Sequence, residues 1–135
     1  STNAKMGLTA INVGLNCVGP VVAVRRSVGR KKALELLLYG DLIKSEEALK
    51  MGLLNRVVAA DELDSEALQW AKTLAKKSPI AVQLSKKAYY EAEDFDYHKA
   101  FDYMNEVFAR LCTAEDAEEG IKAFLEKRNP VWKQR

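Results

Sequence analysis

From Ala4 to Val13 the apolar residues follow no helical period, and β-branched residues stand close to a glycine, which predicts a short strand over 4–13 running into a loop. Gly19 and Pro20 suit a helix start, because proline loses nothing at the first helical position. VVAVRRSV then predicts a short helix ending at Gly29. A second helix is expected over 30–39, with Ala33, Leu34, Leu37 and Leu38 on one stripe and Gly40 as its left-handed stop. Ser45 is placed to cap a further short helix that Gly52 closes, and Glu46 and Glu47 complement the positive end of its dipole. LLNRVV predicts a second strand over 53–58.

Beyond residue 60 the pattern is helical throughout. Asp61 is expected to cap a helix with Leu63, Ala67, Trp70, Ala71 and Leu74 inward, and Ser78 and Pro79 open another carrying Ile80, Ala81, Leu84 and Ala88. Tyr97, Phe101, Met104, Phe108 and Leu111 alternate steps of four and three, the spacing of a seam that packs on a neighbouring helix. Thr113 is expected to cap the last helix, with Glu115 and Asp116 in its first turn, Lys127 and Arg128 at its end, and Asn129 and Pro130 stopping it. The result is a mainly α chain with one or two short β-strands. Two strands alone pair marginally, so their sheet is expected upstream of Ser1.

Composition narrows the function classes. The 135 residues are 48% hydrophobic and 30% charged, the balance of a globular protein. A net charge of +2, from 21 basic and 19 acidic residues mixed along the chain, gives no long-range pull on phosphate backbones, so nucleic acid is not an expected partner. No apolar run reaches bilayer length and no signal-peptide pattern is present, which predicts a cytoplasmic protein without a membrane partner. The basic stretch Arg25 to Lys32 is split by Gly29, so no helix face gathers its charge for a membrane surface. Cys17 and Cys112 lack metal-ligand spacing and read as small buried hydrophobes; no metal site is expected.

Three segments carry a family resemblance. LELLLYGDLIKSEEALKMGLLNRVV (34–58) resembles a segment of the enoyl-CoA hydratase/isomerase (crotonase) family: a leucine-rich helix, a Gly, an Ile, a Ser or Ala, Glu-Ala, Gly-Leu and a hydrophobic pair. AKMGLTAINVGL (4–15) resembles the family's strand and loop of the type Ala-Lys-Phe-Gly-x-Pro-Glu-x-x-x-Gly, and EEGIKAFLEKRNPVW (118–132) resembles its C-terminal signature. All three stand in family order. The resemblance implies the C-terminal part of a crotonase-like α/β spiral fold, with 1–60 as the last strand and helix turns of the spiral core and 61–135 as the helical region that assembles trimers or hexamers.

The same resemblance implies an acyl-CoA thioester as substrate, with coenzyme A as part of it and no covalently bound cofactor. The family stabilises the enolate oxygen with two backbone N–H groups, fixed donors of a kind that contribute a few kcal/mol each in a dry cleft. Both donors, and the first of two hydratase glutamates, are expected in segments before Ser1. The second glutamate belongs to the Pro-Glu pair, where this chain has Thr9-Ala10. Ala10 cannot ionise, and loss of a general acid or base forfeits roughly 10² to 10⁴ in rate. The Gly-rich run that usually follows is altered to Asn16-Cys17-Val18-Gly19-Pro20. Hydration and isomerisation are therefore disfavoured, and reactions needing only the enolate donors, such as decarboxylation or thioester cleavage, are less affected.

Other candidates divide by chemistry. Ala10 is expected to wall the acyl pocket, and no catalytic residue is assigned within these residues. Phe124, Lys127 and Arg128 are candidates for coenzyme A, since the family's last helix commonly reaches towards it and cations meet its phosphates, although a helix C-terminus attracts cations anyway. Asp41, Glu46 and Glu47 read as capping acids, and His98 as solvent-facing. Two functions stay open: part of an acyl-CoA enzyme whose isolated 135 residues are inactive, and a helical oligomerisation or interaction module without catalysis, including an inactive paralogue.

Overall fold

The computed structural model describes residues 1–134, in two compact units divided between Leu68 and Gln69. In order, the elements are β1 (Lys5–Met6), a 3₁₀ turn (Thr9–Val13), α1 (Val18–Tyr39), β2 (Ile43–Lys44), α2 (Ser45–Lys50), a second 3₁₀ turn (Ala60–Glu62), α3 (Leu63–Ala75), α4 (Pro79–Ala92), α5 (Tyr97–Cys112) and α6 (Glu115–Leu125). The chain is mainly helical, as its pattern predicts.

In the first unit β1 and β2 pair antiparallel, with Lys5 opposite Lys44 and Met6 opposite Ile43. Neither predicted strand has its expected length. The first keeps two residues, because the chain tightens into the 3₁₀ turn from Thr9. The second, 53–58, is not a strand: the Leu53 and Leu54 amides both turn back to the Ala48 carbonyl and close α2, and the Val58 carbonyl accepts from the Thr2 amide at 2.9 Å. The partner of β1 is Ile43–Lys44, too short to leave a periodic signal.

Helix α1 starts at Val18 rather than Pro20, and Gly29 breaks it as expected, with φ 78° and ψ 170° amid helical neighbours. Only glycine adopts that conformation readily. At the far end Gly40 has φ 65° and its amide donates to the Leu36 carbonyl at 3.3 Å, the predicted stop. The predicted stripe is displaced: Ala33 and Leu36 are buried, whereas Leu34 and Leu38 are exposed. Leu36 joins Leu8, Ile43 and Ala48 in the core of this unit, with Met6, Cys17, Val21, Val24 and Leu37 packed around them. Burying each large aliphatic side chain contributes roughly 1.5–3 kcal/mol.

Ser45 does not cap α2. It is the first residue of that helix, fully buried, and its hydroxyl donates to the Thr2 carbonyl at 3.1 Å. Asp61 likewise lies inside a 3₁₀ turn, so α3 begins at Leu63, and no residue of α3 is buried; its expected inward residues Leu63, Trp70 and Leu74 are exposed.

In the second unit Ser78 caps α4 as predicted, accepting from the Ala81 amide at 3.3 Å, with Pro79 following it. Helices α4 and α5 pack as a hairpin. Tyr103 donates to Glu91 of α4 and meets Phe95 edge-on at 5.8 Å, so the inner face of α5 runs through Ala100, Tyr103 and Val107. The predicted seam therefore faces away from α4: Tyr97, Phe101, Met104 and Phe108 are exposed, and only Leu111 is half-buried. Thr113 is not a cap either. Its hydroxyl donates back to the Arg110 carbonyl at 2.8 Å, and Ala114 precedes α6.

Candidate functional site

The acid-poor loop comes first. Ala10 is half-buried in the 3₁₀ turn, where its carbonyl accepts from the Leu15 amide at 3.0 Å, and no ionisable group stands at that position. The Asn12 side-chain amide ties this turn to the Gly40 carbonyl at 3.0 Å. Cys17 sits just before α1, half-buried against the core, as its small-hydrophobe reading required; Cys112 departs from that reading, being exposed on the last turn of α5. Ile11, Val13, Leu15, Val18 and Val22 leave much of this segment's apolar surface open.

Of the three capping acids, Glu46 and Glu47 do occupy the first turn of α2. Glu47 and Asp41 also line, with Glu35 and Tyr39, an open groove of about 740 Å³ beside Leu36 and Ile43. Lys32 donates to Glu35 at 2.8 Å, and that bond raises the lysine pKa above its ordinary value. His98 is exposed on the first turn of α5, edge-on to Tyr97 at 5.4 Å, where the sequence placed it.

The end of α6 gathers the remaining candidates. Phe124 is 81% exposed. Helix α6 stops at Leu125, so Lys127 and Arg128 lie beyond its last turn, and Lys127 has φ 53°. The Arg128 guanidinium is already engaged: Nη1 and Nη2 donate to the two Glu119 oxygens at 2.5 and 2.9 Å, and Nε donates to Glu126 at 2.5 Å. That fork, with the Val131 amide at 2.8 Å, holds the Glu119 pKa down at about 2.

Two features escaped the sequence. Glu119, nine residues before Arg128 and across a helix end, belongs to no helical spacing that would pair them. Asp116 read only as a dipole complement, yet it is buried and collects three donors: the Ser78 hydroxyl at 2.6 Å and the Lys133 and Gln134 amides at 2.6 and 3.0 Å. These bonds, the Ser78 hydroxyl above all, pull its pKa below the usual carboxylate range despite burial. The Trp132 indole N–H completes the strap by donating to the Lys76 carbonyl at 2.8 Å, with its ring over Gly120.

Comparison with known proteins makes the class of this chain definite. The model of the enoyl-CoA hydratase/isomerase family matches residues 1–135, and the chain belongs to that family. It is 39% identical over 132 residues to enoyl-CoA hydratase domain-containing protein 3, mitochondrial, of Rattus norvegicus, covering 98% of this chain and 44% of that protein. It is 35% identical over 134 residues to the (E)-benzylidenesuccinyl-CoA hydratase of Thauera aromatica, covering 98% of this chain and 52% of that protein. The crystal structure of an enoyl-CoA hydratase from Mycobacterium smegmatis superposes with a TM-score of 0.93 at 37% identity, over 97% of this chain and 51% of that one. The chain thus spans about half the length of the relatives it matches. Among the described residues, no helix is long and apolar enough to cross a membrane.

Proposed function

We propose that the chain is the C-terminal half of an acyl-CoA-directed protein of this family, whose enolate-stabilising donors and first hydratase glutamate lie in another segment. The order of the three motif segments supports this reading, as does the similarity to a hydratase of a CoA thioester. In it the Thr9–Val13 turn walls the acyl pocket, with Ala10 where a hydratase carries its second glutamate. The exposed end of α6, with Phe124 and Lys127, meets coenzyme A; Arg128, engaged by two carboxylates, serves that end as a brace. The observation that carries the reading is the family match over the whole chain. Calorimetric titration of the complete protein with acyl-CoA tests it: micromolar binding is expected, and no binding overturns it.

A second reading, an assembly module without catalytic duty, is favoured by one observation. The outer face of α5 presents Tyr97, Phe101, Met104 and Phe108 to solvent, which suits a trimer or hexamer interface. A protein that assembles but leaves acyl-CoA unbound in the same titration fits this reading.

A further inference from the structure

Helix α6 ends in a conformation that its own sequence makes costly. Lys127 occupies the left-handed region, where a side chain crowds the following carbonyl and glycine is the usual occupant. Two backbone bonds close the helix around it: the Lys127 amide donates to the Phe124 carbonyl at 3.2 Å and the Arg128 amide to the Ala123 carbonyl at 3.0 Å. This is the double closure that glycine normally permits, built here on a lysine.

The neighbouring residues explain how it persists. Glu119 grips the Arg128 guanidinium with both oxygens and also accepts from the Val131 amide, so one carboxylate holds the chain just beyond Lys127 at two points. The Lys127 ammonium forms no hydrogen bond or ion pair among the described residues, and Phe124, one turn earlier, is exposed. Strain kept where glycine would relieve it points to a side chain retained for what it binds.

We propose that Glu119 is a positioning residue: by clamping Arg128 and the Val131 amide it holds Lys127 in its left-handed conformation, so that the ammonium stands beside Phe124 for the phosphates of coenzyme A. The proposal rests on the coenzyme A reading above, and adds to it a residue that never touches the ligand. Arg128, with four of its five N–H donors engaged by Glu119, Glu126 and the Asn129 carbonyl, serves only to transmit that hold.

The test uses the complete protein, titrated calorimetrically with coenzyme A and with pantetheine, which lacks the phosphates. Lys127→Ala and Glu119→Gln should each weaken coenzyme A binding about tenfold and leave pantetheine binding unchanged, and the double variant should be no weaker than either, since both remove one contact. Lys127→Gly should raise the melting temperature by a few degrees while losing the same affinity. Should Glu119→Gln fail to fold, Arg128→Lys breaks the bidentate grip more gently and must give the same selective loss. Wild-type protein that binds coenzyme A, with Lys127→Ala impaired and Glu119→Gln unaffected, overturns the positioning role and leaves the coenzyme A reading intact. Full affinity in Lys127→Ala overturns the contact itself. Wild-type protein that ignores coenzyme A removes both.

Discussion

Glu119 is a small carboxylate asked to hold a long stretch of chain, and its acidity records the load. Its pKa falls from 4.5 to about 2, first through Arg128 and then through the Val131 amide, and that of Asp116 is lowered by Ser78, Lys133 and Gln134. A depressed carboxylate favours the folded form above its unfolded value, and this contribution disappears as pH falls through the folded one. The strap should therefore loosen between pH 4.5 and about 2, read as a change in Trp132 emission that Trp132→Phe abolishes and Glu119→Gln flattens. At Gly40 the strain is of another kind. A Cβ there would lie 2.5 Å from an Ile11 methyl and 2.7 Å from the Asn12 side-chain oxygen, on a backbone with φ 65°. Gly40→Ala is expected to cost roughly 1–3 kcal/mol in urea unfolding, because both the conformation and the contact oppose it.

Among the elements, α5 separates composition from packing. Its inner residue Val107 is 7% exposed while Phe101, the larger and more apolar-looking anchor, is 57% exposed. Val107→Ala should destabilise the isolated chain by about 2 kcal/mol, whereas Phe101→Ala should change it by less than about 0.5 kcal/mol. Equal costs in denaturant unfolding would mean that another surface covers the outer face. The same helix shows why some of the fold was legible and some was not. Gly29, Gly40 and Ser78 act through their own backbone or the next turn, so the sequence placed them correctly. The stripes on α1 and α5 were misplaced because an apolar period reveals a face without revealing which neighbour it meets. Ser45 and Thr113 carry cap chemistry, but their hydroxyls donate to carbonyls instead, of Thr2 far away in the chain and of Arg110 one turn back. Strand β2 and the Glu119–Arg128 grip depend on contacts with no local period at all.

For the whole molecule, the family is established across every residue, and the matched relatives are about twice as long. As a prediction from the proposed placement of the catalytic groups, these 135 residues alone should not hydrate crotonyl-CoA above a buffer control; measurable turnover would require the enolate donors to lie within them. Their two-residue strands form a pair with exposed apolar residues nearby, so the isolated chain should also self-associate as concentration rises, visible as a growing sedimentation coefficient.

The carboxylate strap has one more consequence, for digestion. Lys127 and Arg128 form an exposed dibasic pair, an obvious trypsin target by sequence. A protease must draw several residues into an extended line, yet here the flanking amides of Arg128, Val131, Lys133 and Gln134 are already committed to acceptors on α6. Cutting at this pair will wait for the strap to open, so its rate becomes a clock for that opening.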